Sequence, residues 1–183
     1  KEVTVFDIPP FKDYIVVDTF DVHKLCKKHK AKMVSLYLKK RKKVPIGAMN
    51  EEYCNKDFIK AISKKWIKAV HQNFIVGPLC KPIRTWIYVQ NDKNNVVALH
   101  NHISTSTING VFYIDPPKEG GETQFLFYGK KFIIKPEINK IYFWPYWLEH
   151  TPLSQKDHKW RISVNMEYYC RERPVVKRTG IWW

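Results

Sequence analysis

The spacing of apolar positions changes along this chain near residue 82. Before it, the stretch EEYCNKDFIKAISKKWIKAVHQNF (51–74) places Phe58, Ile62, Trp66 and then the adjacent pair Ala69 and Val70 at steps of three or four residues. That period predicts an amphipathic helix with those five residues inward and its lysines outward. Asn50 is its expected N-cap, with Glu51 and Glu52 in the first turn, where the helix dipole favours carboxylates. Residues 1–20 alternate in short pieces, VTVF and YIVVDTF, which predict one or two short strands. Residues 21–32 predict a short basic helix capped by Asp21. VSLYL (34–38) predicts a strand and KKVPIGAMN (42–50) a loop.

From residue 83 the period shortens to two. IRTWIYVQ (83–90), NVVALHN (95–101), INGVFYI (108–114), GETQFLF (121–127), KKFIIKP (130–136), KIYFWP (140–145) and WRISVNMEYY (160–169) each predict a strand. Turn formers separate them: NDKNN, DPPKEGG, YG and PEIN. Short strands so punctuated predict a barrel or sandwich. No GxGxxG, GxxxxGK[ST] or GxSxG occurs, which removes the common nucleotide-binding and serine-hydrolase signatures.

Composition narrows this picture. With 44% hydrophobic and 15% aromatic residues, the chain fills a core and is not a disordered segment. Its 183 residues suit one domain, with N-terminal strands and a supporting helix (1–82), a β core (83–170) and a C-terminal tail (171–183). No apolar run reaches the roughly 18–20 residues of a bilayer span, so no membrane partner is expected. The opening KEVTVFDIPPF has no secretory apolar region. Cys26, Cys54, Cys80 and Cys170 are scattered, without a CxxC pair, and are expected to be buried free thiols. That pattern predicts a reduced, cytoplasmic setting. The net charge of +15 concentrates in KLCKKHKAK (24–32) and LKKRKK (38–43). It would attract nucleic acid, anionic surfaces or acidic substrates. A solvated lysine-rich surface, far in sequence from the chemistry below, is the simpler account.

The candidate chemistry begins in VVALHNHISTSTINGVFYID (96–115). In a strand, His100 and His102 project to one face. His150 closes KIYFWPYWLEH (140–150), at the end of another strand. Three imidazoles meeting at a barrel mouth would bind a divalent first-row metal; the plain alternative is polar loop residues. Further on, Arg161, Ser163 and Asn165 share one strand face and Ile162 and Val164 the other. An inward arginine is costly unless an anion pairs with it, and its planar fork suits a carboxylate. Glu149 or Glu167 could instead supply a structural ion pair. Asp115 reads as a turn former before a metal ligand. His23, His29 and His158 read as surface residues, and His71 as a surface or packing residue. Trp144, Tyr146 and Trp147 read as core and rim packing. The tail RERPVVKRTGIWW is expected to dock on the barrel or mediate contacts.

The pieces HNH (100–102), NGVFYID (109–115), GGETQF (120–125), FWPYWLEHTP (143–152) and RISVNMEY (161–168) follow one another in an order that resembles the phage-type 2-oxoglutarate- and Fe(II)-dependent oxygenases. The resemblance runs from Trp86 to Tyr168. It implies a mainly β protein with N-terminal helices, built as a double-stranded β-helix (a jelly roll, cupin-like). It implies Fe(II) on His100, His102 and His150, and 2-oxoglutarate as co-substrate with O2. It implies Arg161 on the far carboxylate with Ser163 assisting, Tyr88 as a further candidate there, and Asn165 and Tyr113 lining the pocket. The implied reaction hydroxylates a substrate, anionic or macromolecular by the charge, as 2-oxoglutarate is decarboxylated to succinate and CO2. One departure stands out: the broader pattern is HxD…H, and here His102 occupies the carboxylate position.

Two rival functions remain. PYWLEH (145–150) also resembles the second cupin motif, which implies a metalloenzyme without a keto acid. The glutamate that the first cupin motif needs is absent from ISTST (103–107). The other rival is a basic jelly roll that binds nucleic acid.

Overall fold

The computed structural model describes residues 13–41, 48–51, 55–91, 97–157 and 160–183. VTVF, Cys54 and His158 lie outside these residues, as do parts of the predicted loop at 42–50 and of the strand predicted at 95–101. In chain order the elements are β1 (Val16–Thr19), α1 (His23–Arg41), β2 (Ala48–Glu51), α2 (Lys56–Asn73), β3 (Phe74–Ile75), β4 (Cys80–Gln90) and β5 (Ile108–Asp115). There follow β6 (Thr123–Phe127), β7 (Lys130–Ile134), β8 (Lys140–Pro145), β9 (Glu149–Pro152), β10 (Arg161–Cys170) and β11 (Val175–Val176).

Nine of these strands form two antiparallel sheets. The larger has the order β1-β8-β5-β10-β4-β2 and the smaller β7-β6-β9. The non-sequential order, with β10 between β4 and β5, is that of a double-stranded β-helix. The two helices cover one face of the large sheet. Strand alternation sends Ile87, Val89, Phe112, Ile162, Val164 and Met166 into that face, where they meet Met33, Tyr37, Phe58, Ile62 and Trp66. Gly110 belongs to this packing: a β-carbon there would overlap the Trp66 ring, so the bare backbone lets α2 seat against β5. The opposite face of the large sheet meets the small sheet through Val111, Tyr113, Tyr142, Trp144, Phe125, Phe132 and Ile134.

Several elements differ from the sequence reading. VSLYL is not a strand but the second half of α1. Cys26, His29, Met33 and Tyr37 are buried at intervals of three and four, so one helical stripe on the sheet overrides the local β propensity of Val34. His29 is therefore a core residue, its ring 5.0 Å from that of Phe58. Burial, with Lys28 and Lys32 nearby, lowers its pKa. The long helix starts later than predicted. Asn50 lies in β2, and Asn55 is the N-cap, its side chain accepting from the Phe58 amide at 3.0 Å. Asp57 stands in the first turn; Glu51 ends β2 and Glu52 lies outside the described residues. Part of the loop at 42–50 is β2, recruited by the free edge of β4. Among the described residues, the strand predicted around His100 reduces to a single bridge, His100 to His150. His150 lies within β9, a strand the Pro- and Trp-rich sequence concealed.

The tail docks as expected: β11 pairs with β3, and Trp183 is buried with its ring 4.8 Å from Phe74. Cys26 and Cys170 are buried thiols, whereas Cys80 is half-buried. The α1 lysines 24, 27, 28 and 32 are exposed. They lie on the helix-covered side of the large sheet. Among the described residues no helix is long and apolar enough to cross a membrane.

Candidate metal centre

Three backbone anchors gather the histidines. His100 and His150 exchange amide–carbonyl bonds of 3.1 and 2.9 Å, and the His102 amide donates to the Tyr146 carbonyl at 2.8 Å. The chain at 100–102 is thus tied to the β8–β9 turn, and this does the work the sequence reading gave to a strand. One nitrogen from each ring lies within 4.8 Å of the others, and the Nε2 atoms of His102 and His150 are 3.3 Å apart.

The outer ring nitrogens set the tautomers. His100 Nδ1 is 2.9 Å from the Ala98 carbonyl and His150 Nδ1 is 2.9 Å from the Leu148 carbonyl. A carbonyl only accepts, so each Nδ1 carries the proton and each Nε2 turns a lone pair inward. His102 Nδ1 lies 2.6 Å from Glu167 Oε1, which gives it the same tautomer. Two lone pairs facing each other at 3.3 Å repel unless a cation lies between them. Nitrogens sharing an ion at about 2.1 Å stand roughly 3.0–3.4 Å apart. The residues therefore fit a metal. Burial lowers the pKa of both His100 and His150, that of His150 to about 3 with His100 contributing, so neutral, ligand-competent imidazoles persist into acid.

Glu167 was read from sequence only as a possible partner of Arg161. It is instead buried against His102 and also accepts from Thr105 Oγ1 at 2.9 Å. Burial alone raises its pKa. The hydrogen bonds from His102 and Thr105, with the charges of His102 and Arg84, outweigh that and leave it below its ordinary value.

Behind the histidines, a cavity of about 290 Å³ reaches Arg161 and is lined by His100, His102, His150, Tyr88, Ser163 and Asn165 among others. Arg161 is 2% exposed. Its Nε donates to the Gly121 carbonyl at 2.7 Å, Nη2 to Thr123 Oγ1 at 3.3 Å and Nη1 to Ser163 Oγ at 3.4 Å. Its guanidinium lies 5.2 Å from the Tyr113 ring centre and 5.7 Å from that of Tyr88. Gly121 makes the first bond possible: its φ is +70°, and a β-carbon there would press on Pro117 and Arg161. Among the described residues no carboxylate reaches ion-pair distance of Arg161. Neutral acceptors hold this buried cation without neutralising it, which suits an anionic ligand.

The remaining candidates divide. Tyr88, Ser163 and Asn165 line the cavity, and Asn165 Nδ2 donates to Ser163 Oγ at 3.4 Å. Tyr113 does not line it; its hydroxyl is bonded to Thr123 Oγ1 at 2.7 Å and its ring backs Arg161. Asp115 is paired with Lys30 of α1 at 2.8 Å, away from the histidines. Trp144 is more than packing: it lines the cavity, its ring edge-on to His150 at 4.8 Å. Asn109, which sequence reasoning passed over, is buried on the cavity wall with no acceptor for its Nδ2. A mid-strand asparagine in an apolar run was its only signal.

No protein-family model and no curated protein sequence matches the chain. Solved structures share its fold. HygX from Streptomyces hygroscopicus, solved with nickel, 2-oxoglutarate and hygromycin B, gives a TM-score of 0.67 at 8% identity, over 88% of this chain and 85% of that one. A prolyl hydroxylase from Trichoplax adhaerens, in complex with a hypoxia inducible factor peptide fragment, gives 0.61 at 10% identity over 85% and 83%. The viral collagen prolyl hydroxylase vCPH from Paramecium Bursaria Chlorella virus-1, in a 2-oxoglutarate complex, gives 0.59 at 12% identity over 87% and 97%. Two further matched chains are longer, and this chain spans 45% and 48% of them. At these identities the likeness is one of fold.

Proposed function

We propose that the chain is a 2-oxoglutarate- and Fe(II)-dependent oxygenase. The observation that carries this reading is one cavity with three inward imidazole lone pairs at one end and an unneutralised, buried guanidinium at the other. A dicarboxylate with a metal-chelating end matches both. His100, His102 and His150 would hold Fe(II). Arg161 would bind the distal carboxylate of 2-oxoglutarate, with Ser163 and Tyr88 beside it. When bound, the iron and the keto acid supply activation of O2 coupled to decarboxylation to succinate and CO2, with hydroxylation of a C–H bond.

The chain's own residues do the rest. The carbonyls of Ala98 and Leu148 fix the tautomers of His100 and His150 and stop the rings from turning. Trp144 and Val111 line the cavity with apolar surface and keep bulk water from the ligands. Gly121, Thr123 and Ser163 hold the guanidinium still, so little side-chain freedom is lost when a carboxylate arrives.

Anaerobic addition of Fe(II) and 2-oxoglutarate tests this reading. A weak visible charge-transfer band that needs both additions is the expected result. Tight metal binding with no band on adding the keto acid would remove the oxygenase reading and leave a metal-binding jelly roll.

A further inference from the structure

We infer that Glu167 is a positioning residue that supplies, through His102, the negative charge that the metal's own ligand set lacks. This rests on reading the three histidines as a metal centre. Three neutral imidazoles leave a divalent ion with its full charge in a buried site, whereas a ligand set containing a carboxylate would offset part of it. Among the described residues Glu167 is the one acid that lines the cavity, and it is not in the group of three histidines that could hold an ion; Asp115 is paired with Lys30. The carboxylate stands one residue further out. Glu167 Oε1 lies 2.6 Å from His102 Nδ1, and the residue is 3% exposed.

The geometry argues that this contact serves the imidazole and is not a surface ion pair. His100 and His150 meet backbone carbonyls through Nδ1, which fixes tautomer and angle and adds no charge. His102 alone of the three meets a carboxylate, and His102 occupies the place where the broader HxD pattern has its acid. Thr105, three residues on, donates to the same Oε1 at 2.9 Å and holds the carboxylate in line. A carboxylate accepting from Nδ1–H raises the donor strength of Nε2 toward a metal. The charge is thus moved from direct ligation to the second residue of a Glu167–His102 relay. The three inner positions stay uniformly imidazole.

The test measures cobalt(II) affinity of the metal-free protein by ligand-field absorption and by quenching of the nearby Trp86 and Trp144, with the thermal midpoint of the metal-free protein as a second readout. Glu167→Gln keeps an oxygen acceptor for Nδ1–H and removes only charge. It should weaken cobalt(II) by about 10-fold, within the usual range for such outer partners, and lower the metal-free midpoint only modestly, with unfolding still cooperative. Thr105→Val, which loosens the carboxylate without removing it, should give a smaller loss of the same sign. In a His102→Asp background, Glu167→Gln should cost little, because the relay it completes is gone. Wild-type affinity in Glu167→Gln would overturn the inference, as would an equal loss in the His102→Asp background. Failure of the wild-type protein to bind cobalt(II) would instead overturn the metal-centre reading itself.

Discussion

Both faces of β10 are largely buried, and they are built from opposite chemistry. Ile162, Val164, Met166 and Tyr168 face the helices, and Arg161, Ser163 and Glu167, with half-buried Asn165, face the small sheet. On the helix face, burial is its own reward: each apolar side chain leaves water and meets a ring or an aliphatic chain. On the other face every buried polar group needs a partner. Ser163 and Asn165 bond within the face, and Glu167 has His102 and Thr105. Arg161 has only neutral acceptors. Depth of burial therefore does not separate structure from function here. The balance of charge around each buried group does.

The sharpest break of this comparison uses adjacent residues. Ile162→Ala should cost about 2–5 kcal/mol of stability by denaturant unfolding, as a full core truncation does, and leave cobalt(II) affinity of the folded protein unchanged. Arg161→Met should do the reverse. It should weaken 2-oxoglutarate by roughly 30-fold or more in a binding titration, since losing one partner of a buried charge pair costs about 2–5 kcal/mol. Stability of the ligand-free protein should hold or rise, because an unneutralised buried cation is removed. A fall as deep as that of Ile162→Ala would make Arg161 structural. The third effect is gentler and depends on pH. His150 titrates near 3 in the fold and near 6.5 when unfolded, so the unfolded chain takes up protons first as pH drops. Stability of the metal-free protein is complete above about 6.5 and declines below it by roughly 1.4 kcal/mol per pH unit for this group alone. His100 and His29, also lowered, add in the same direction. Glu167 adds only below the ordinary carboxylate range, its folded pKa being depressed. Urea unfolding at pH 7 and pH 5 should show a shallower loss in His150→Asn than in the wild type.

Much of this was legible in the chain, for identifiable reasons. The alternation of RISVNMEYY named both faces of β10, because a strand's period of two survives any tertiary context. The histidines stood out as HxH plus one. What stayed hidden depended on partners far away. Glu167 meets His102 across 65 positions, a contact that exists only once β10 lies beside the turn after His102. β9 and β2 are four-residue strands whose ladders come from β6 and β4, so their own residues say little. VSLYL has a strand's composition and a helix's neighbours, and Met33 and Tyr37 on the sheet decided between them. Asn50 was the expected cap; pairing of β2 with β4 puts it in a strand, and Asn55 caps the helix instead.

At Gly110 the partition between oily interior and cavity is one main-chain layer thick. The Trp66 indole presses on one side of it, and the space that reaches the histidines opens on the other. With no side chain of its own to trim, that wall cannot be hollowed out from within. A roomier chamber at this spot requires the tryptophan of a distant helix to shrink or retreat, which ties the size of whatever enters to the choice of a scaffold residue.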